Sequence, residues 1–158
     1  MPMAASNKAI TIIWVSLLAG TCDITSAFII NYHTSPLVIF RYIASAVFGK
    51  AAFTGGSQMI WWGVLFHYVI AIAFSVCLFM LYPHIKKLLP NKYMIALIYG
   101  IVIWLFMNFL VLPLTNVPKQ HFKTYGVITG ILALIICIGL VVSLAADNYY
   151  KKLQTQDL

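Results

Sequence analysis

The sequence predicts an all-α integral membrane protein, a four-transmembrane-helix bundle with a short re-entrant or interfacial helix between spans 1 and 2. Three observations predict it. Of 158 residues, 63% are hydrophobic and only 8% charged, whereas a soluble domain carries about 25% charge. Four apolar runs approach or exceed the roughly 20 residues that a hydrocarbon core of about 30 Å demands. The ten Lys and Arg residues lie mostly between or beside those runs, where a lipid bilayer with anionic headgroups is the natural partner. No basic face of the kind that binds nucleic acid remains. The chain reads as a single membrane domain over 1–158, without a soluble domain, long linker or low-complexity tract.

Span 1 is expected over 9–30. Lys8 before an apolar core and the stretch LLAGTC brush against a lipoprotein signal, but the apolar pattern continues past Cys22 through Ile24 and Phe28, so the segment reads as retained. It carries Asp23, whose insertion cost of about 2.5 to 3.5 kcal/mol is outweighed by some ten Ile, Val, Leu and Phe side chains. Ser16, Gly20, Asp23 and Ala27 recur at helical spacing, so the acid shares a face with small residues and points into the bundle.

A short helix follows over 36–48, with Ser35 as N-cap, Pro36 at its first position and Gly49 as its stop. It is too short to span comfortably, and Arg41 interrupts it. If this helix dips inward, Arg41 reaches Asp23; if it lies flat, Arg41 snorkels to headgroups.

Span 2 is expected over 57–82, the longest apolar run, with Trp61, Trp62 and Tyr82 at the interfaces, Gly63 as a packing position and His67 near the middle. YPHIKKLLPNKY then reads as a basic connection closed by two prolines. Span 3, over 93–112, carries Ala96, Gly100, Trp104 and Asn108 at intervals of four, one packing face, and Pro113 ends it. Span 4 covers 125–146. Its Gly126 and Gly130 form a small-xxx-small motif, a candidate contact between copies in a homo-oligomer and equally a candidate contact within one chain. The tail DNYYKKLQTQDL reads as polar, with Tyr149 and Tyr150 at the interface.

Four crossings put both termini on one side. Lys8, Lys86, Lys87, Lys92, Lys151 and Lys152 fall there, against Arg41, Lys50, Lys119 and Lys123 opposite. That excess places the termini in the cytoplasm. Counting about 1.5 Å per residue from the middle of each span sets Asp23 and His67 about 4 Å, and Asn108 about 7 Å, toward the outer side. An acid, an imidazole and an amide thus share one leaflet, with Arg41 arriving from the same side.

This set, Asp23, Arg41, His67 and Asn108, is the functional clue the sequence offers. As a structural lock it holds the helices together through buried hydrogen bonds, each giving about 0.6 kcal/mol. The alternative is a proton- or ion-linked transporter or channel subunit in which Asp23 and His67 exchange a proton. An intramembrane enzyme is the remaining alternative, although HExxH, GxSxG and a convincing serine-histidine-acid set are missing, and the chain reads as non-enzymatic. No cofactor is expected. His33, His84 and His121 sit in connections and no two histidines share a helix face, so no metal is expected either. Cys22, Cys77 and Cys137 lie in three different spans and read as small buried apolar residues.

GTCDITSAF in span 1, FGKAAFTGG before span 2, WGVLFHYVIA within it and YGIVIWLFMNFLVLPL in span 3 resemble the YagU-like family of small bacterial inner-membrane proteins, and the likeness covers nearly the whole chain. The resemblance implies a bacterial cytoplasmic-membrane location and a domain that recurs as a unit. The family is of unknown function and supplies no catalytic residues.

Overall fold

The computed structural model describes residues 8–118 and 124–156. Lys119, His121 and Lys123 lie outside the described residues. The order is α1 (Lys8–Ile30), α2 (Pro36–Phe48), α3 (Ala51–Thr54), α4 (Gln58–Leu88), α5 (Lys92–Leu114) and α6 (Thr124–Thr155). Helices α1, α4, α5 and α6 are each long and apolar enough to cross a membrane. Among the described residues there is no strand. The protein is therefore an all-helical, multi-pass membrane bundle with a shorter apolar helix between its first two spans. Large apolar side chains such as Trp14, Ile29, Trp61 and Phe109 face outward, an arrangement that suits lipid and not water.

The short helix starts with Pro36 at its first turn, but Ser35 makes no side-chain capping bond. Gly49 ends it at φ 57°, a left-handed conformation that glycine adopts without a Cβ penalty. The carbonyls left unpaired at that end are taken up from the far side of the chain. Asn116 donates its backbone N–H to Ala46 O at 3.0 Å and its Nδ2 to Val47 O at 3.1 Å. The rings of Phe48, Trp62 and Phe66 then fasten α2 to the first half of α4.

Two long helices run further than their sequence suggests. The segment read as a basic connection after Tyr82 continues α4 through Pro83 to Leu88. A proline inside a helix deprives the carbonyl four residues earlier of its donor, here Phe79 O. The Tyr150 hydroxyl donates to that same oxygen at 3.1 Å and restores the missing bond. The polar tail likewise continues α6, with Tyr149 and Tyr150 packed on Phe79 instead of standing free at the interface. Pro113 does not stop α5 abruptly either. That helix widens to a π turn at Met107–Val111 and closes as a 3-10 turn at Leu112–Leu114.

Glycines set three of the helix crossings. A Cβ on Gly20 would meet Ala71 Cβ at 3.0 Å, one on Gly63 would overlap the Phe40 carbonyl, and one on Gly100 would lie 2.6 Å from Ile135 Cα. In α6 the close approach is made by Gly139 against the Ala96 carbonyl, inside a second π turn at Ile135–Leu140. Of the two alternatives for the Gly126/Gly130 motif, a contact within the chain holds for Gly130, which faces the Trp104 ring edge at 3.1 Å, whereas a Cβ on Gly126 meets nothing within 4 Å among the described residues. The motif starts too near the end of α6 for both of its glycines to be covered by α5.

Leu78, Phe79 and Tyr82 of α4 pack with Ile95 and Ile103 of α5 and with Ile138 and Val142 of α6. This core fills the half of the bundle next to the α4–α5 connection. The opposite half is not filled.

Candidate functional site

The unfilled half holds a cavity of about 540 Å³ between α1, α2, α4, α5 and α6. Its wall is almost wholly apolar, from Ile24, Ile43, Phe74, Ile103 and Ile138 among others, and Asp23 and His67 both line it. Asp23 reaches the wall because it follows Gly20 on the α1 face that crosses α4. His67 is positioned by the same crossing. Its Nε2 stands 2.8 Å from Gly20 O, and since a carbonyl can only accept, Nε2 carries the hydrogen. Nδ1 is then the ring nitrogen that carries the lone pair.

Asp23 and His67 are close enough for their charges to interact, yet among the described residues no hydrogen bond or ion pair joins them. Asp23 is half-buried, and its carboxylate has no hydrogen-bond partner among the described residues.

The other two members of the expected cluster are elsewhere. Arg41 forms no ion pair with Asp23: its Nη1 donates to Phe53 O at 3.0 Å, a carbonyl that α3 offers where it folds back against α2. Asn108 donates its Nδ2 to Trp104 O at 2.8 Å, the carbonyl one turn earlier in its own helix. The four-residue polar set of the sequence reading is thus a pair, Asp23 and His67, with Asn108 bonded within its own helix and Arg41 turned to Phe53 O, its Nε buried without a hydrogen-bond partner among the described residues.

A second polar site was not anticipated. Asp147, read as the start of a polar tail, is 2% exposed. Its Oδ1 accepts from the Tyr82 hydroxyl at 3.0 Å and lies 2.9 Å from Lys86 Nζ. Its Oδ2 lies 2.9 Å from Lys151 Nζ and 3.9 Å from Lys92 Nζ. The helical overrun explains the arrangement. At about 1.5 Å per residue the 31 residues of α4 extend to about 46 Å, well beyond a hydrocarbon core, so the ends of α4 and α6 meet where lysines are tolerated. The i,i+4 spacing of Asp147 and Lys151, and the scarcity of acids in a chain with three against ten bases, were the available signals.

The bundle also joins two of the cysteines. Cys22 of α1 and Cys137 of α6 stand with their sulfurs 2.7 Å apart. Cys137 is 3% exposed and Cys22 half-buried. Cys77 is exposed. Among the described residues no three His, Cys, Asp or Glu side chains gather as a metal site.

No family model, no curated protein and no solved structure matches this chain.

Proposed function

We propose that this protein is a non-enzymatic, proton-linked carrier of small apolar cations in a bacterial inner membrane, with both termini in the cytoplasm. The observation that carries the reading is an unpaired carboxylate, Asp23, in the wall of a cavity of about 540 Å³ that is otherwise almost entirely apolar. A negative charge taken out of water needs a positive counterpart. A proton and the ammonium group of an apolar ligand both satisfy that need, and both compete for the same two oxygens. Occupancy by one excludes the other, which is the chemical basis of exchange. His67, which lines the same cavity, is the group that relays a proton to and from Asp23. The cavity is of the size that holds small-molecule ligands, about 300–1,000 Å³.

The lysines near the α4–α5 connection and at the end of α6, and the resemblance to a bacterial inner-membrane family, support the membrane and orientation assigned here.

The test is uptake of a radiolabelled aromatic quaternary ammonium, which carries no proton of its own, into proteoliposomes under an imposed pH gradient. Wild type should accumulate it only when the gradient is present. Asp23→Asn, incorporated at equal density and equally monodisperse, should not. Folded wild type that takes up none of a panel of such cations would end the proposal.

A second reading, in which the polar residues only hold the helices together, draws support from the His67–Gly20 bond between α4 and α1. It differs in its consequence: Asp23→Asn would leave the protein without any altered cation binding.

A further inference from the structure

We propose that Cys22 and Cys137 are a two-electron redox site inside the membrane, a dithiol that a lipid-soluble quinone oxidises to a disulfide. The two residues are 115 positions apart and belong to α1 and α6, yet their sulfurs are 2.7 Å apart. A disulfide bond is about 2.05 Å, so closing it asks the two sulfurs to approach by less than an ångström. Such closeness is not a general consequence of three cysteines in one small bundle. Cys77 lies on α4 and is exposed, and among the described residues it pairs with neither of the other two cysteines.

The surroundings select the oxidant. Cys137 is buried at 3% exposure and Cys22 is half-buried, both near the middle of their spans. Charged, water-soluble disulfides are excluded from that depth. A quinone dissolves in the lipid and can approach the half-buried Cys22. It also accepts two electrons and two protons, the amounts a dithiol gives up. Two S–H bonds break, one S–S bond forms, and the quinone leaves as the hydroquinone. The thiolate is the reacting form, so a base must take the first proton. The quinone oxygen itself takes that proton. The bond would tie α1, the helix carrying Asp23, to α6. The site stands on the sulfur geometry and is independent of what the neighbouring cavity holds.

The full chain in lipid nanodiscs, under nitrogen, is treated with tetramethylbenzoquinone, whose fully substituted ring leaves thiols no open position for addition. The protein is then denatured, its free thiols are counted with a maleimide, and its proteolytic fragments are mapped by mass. Wild type and Cys77→Ser should each lose two labels, yield the Cys22–Cys137 linked peptide pair and release one hydroquinone per disulfide. A thiol reductant should restore both labels. Cys22→Ser and Cys137→Ser should keep their thiols. Wild type and Cys77→Ser decide the matter even if the other two variants fail to fold. Retention of all three thiols under excess quinone, a linked pair that includes Cys77, or thiol loss without hydroquinone would each overturn the proposal.

Discussion

The Tyr82 hydroxyl donates to Asp147 Oδ1 at 3.0 Å, joining α4 to α6 across 65 positions of the chain. Around that bond Lys86 and Lys151 each stand 2.9 Å from the same carboxylate. Removing the acid strands the hydroxyl and leaves lysines gathered without a counter-charge. Because the lysines are partly exposed and can turn toward water, the cost falls short of that for a fully buried pair. Asp147→Ala should lower stability by about 2 kcal/mol, the scale of a hydrogen bond to a charged group. The midpoint of thermal or denaturant unfolding in a mild detergent reads this directly, and an unchanged midpoint would remove the cluster from the account of the fold.

Tyr150 and Pro83 should be energetically coupled. Tyr150→Phe deletes the hydroxyl that supplies Phe79 O and should cost about 1 kcal/mol. In a Pro83→Ala background the residue at 83 gains an N–H of its own, which reaches the same carbonyl through the helix. There the tyrosine substitution should cost markedly less. A double-mutant cycle measures the difference, and equal costs in both backgrounds would mean that the hydroxyl does not replace the proline's missing donor.

The glycines should divide by position. Gly63→Ala and Gly139→Ala drive a methyl into the Phe40 and Ala96 carbonyls, and neither backbone can yield without opening a helix crossing. Each should cost about 1–3 kcal/mol as overpacking. Gly126→Ala meets nothing within 4 Å and should be neutral or stabilising by up to about 1 kcal/mol, since alanine is the better helix former. Unfolding midpoints of the three variants, compared side by side, test the assignment of α6 packing to Gly139.

Arg41 and Asp23 should behave as strangers. With Arg41 committed to Phe53 O, the stability changes of Arg41→Gln and Asp23→Asn should add to within about 0.5 kcal/mol in the double variant. A larger interaction term would restore the ion pair that the sequence suggests.

What was legible in the sequence follows from what a bilayer imposes. Apolar length alone located all four spans, because each must bury its own backbone polar groups within one thickness of hydrocarbon. Pro36 and Gly49 bounded the short helix for reasons equally local. Helix ends outside the hydrocarbon were harder. Pro83 looked like a terminator because its missing bond was visible, whereas the Tyr150 hydroxyl that repairs it arrives from another helix. His67 was recognised as a buried group in need of a partner, but a backbone carbonyl such as Gly20 O carries no sequence signature. Asp147 was overlooked for the opposite reason: its partners Lys86 and Lys92 were read as lipid-facing charges, and depth arithmetic on separate spans does not register helices that overrun the membrane together. The pairing of Cys22 with Cys137 depends on which faces of α1 and α6 meet, a rotational question that similar depth along two helices leaves undetermined.

The bond from Tyr150 to Phe79 O imposes an order on biosynthesis. Phe79 and Pro83 leave the ribosome some seventy residues ahead of Tyr150, which at about 5–20 residues per second is several seconds of synthesis. Throughout that interval the last turns of α4 have a carbonyl with no donor of their own chain to meet it. The second span can therefore enter the membrane early, but its C-terminal end is completed only by the fourth. A nascent chain arrested before Tyr150 should expose the stretch around Pro83 to protease, and the full-length chain should protect it.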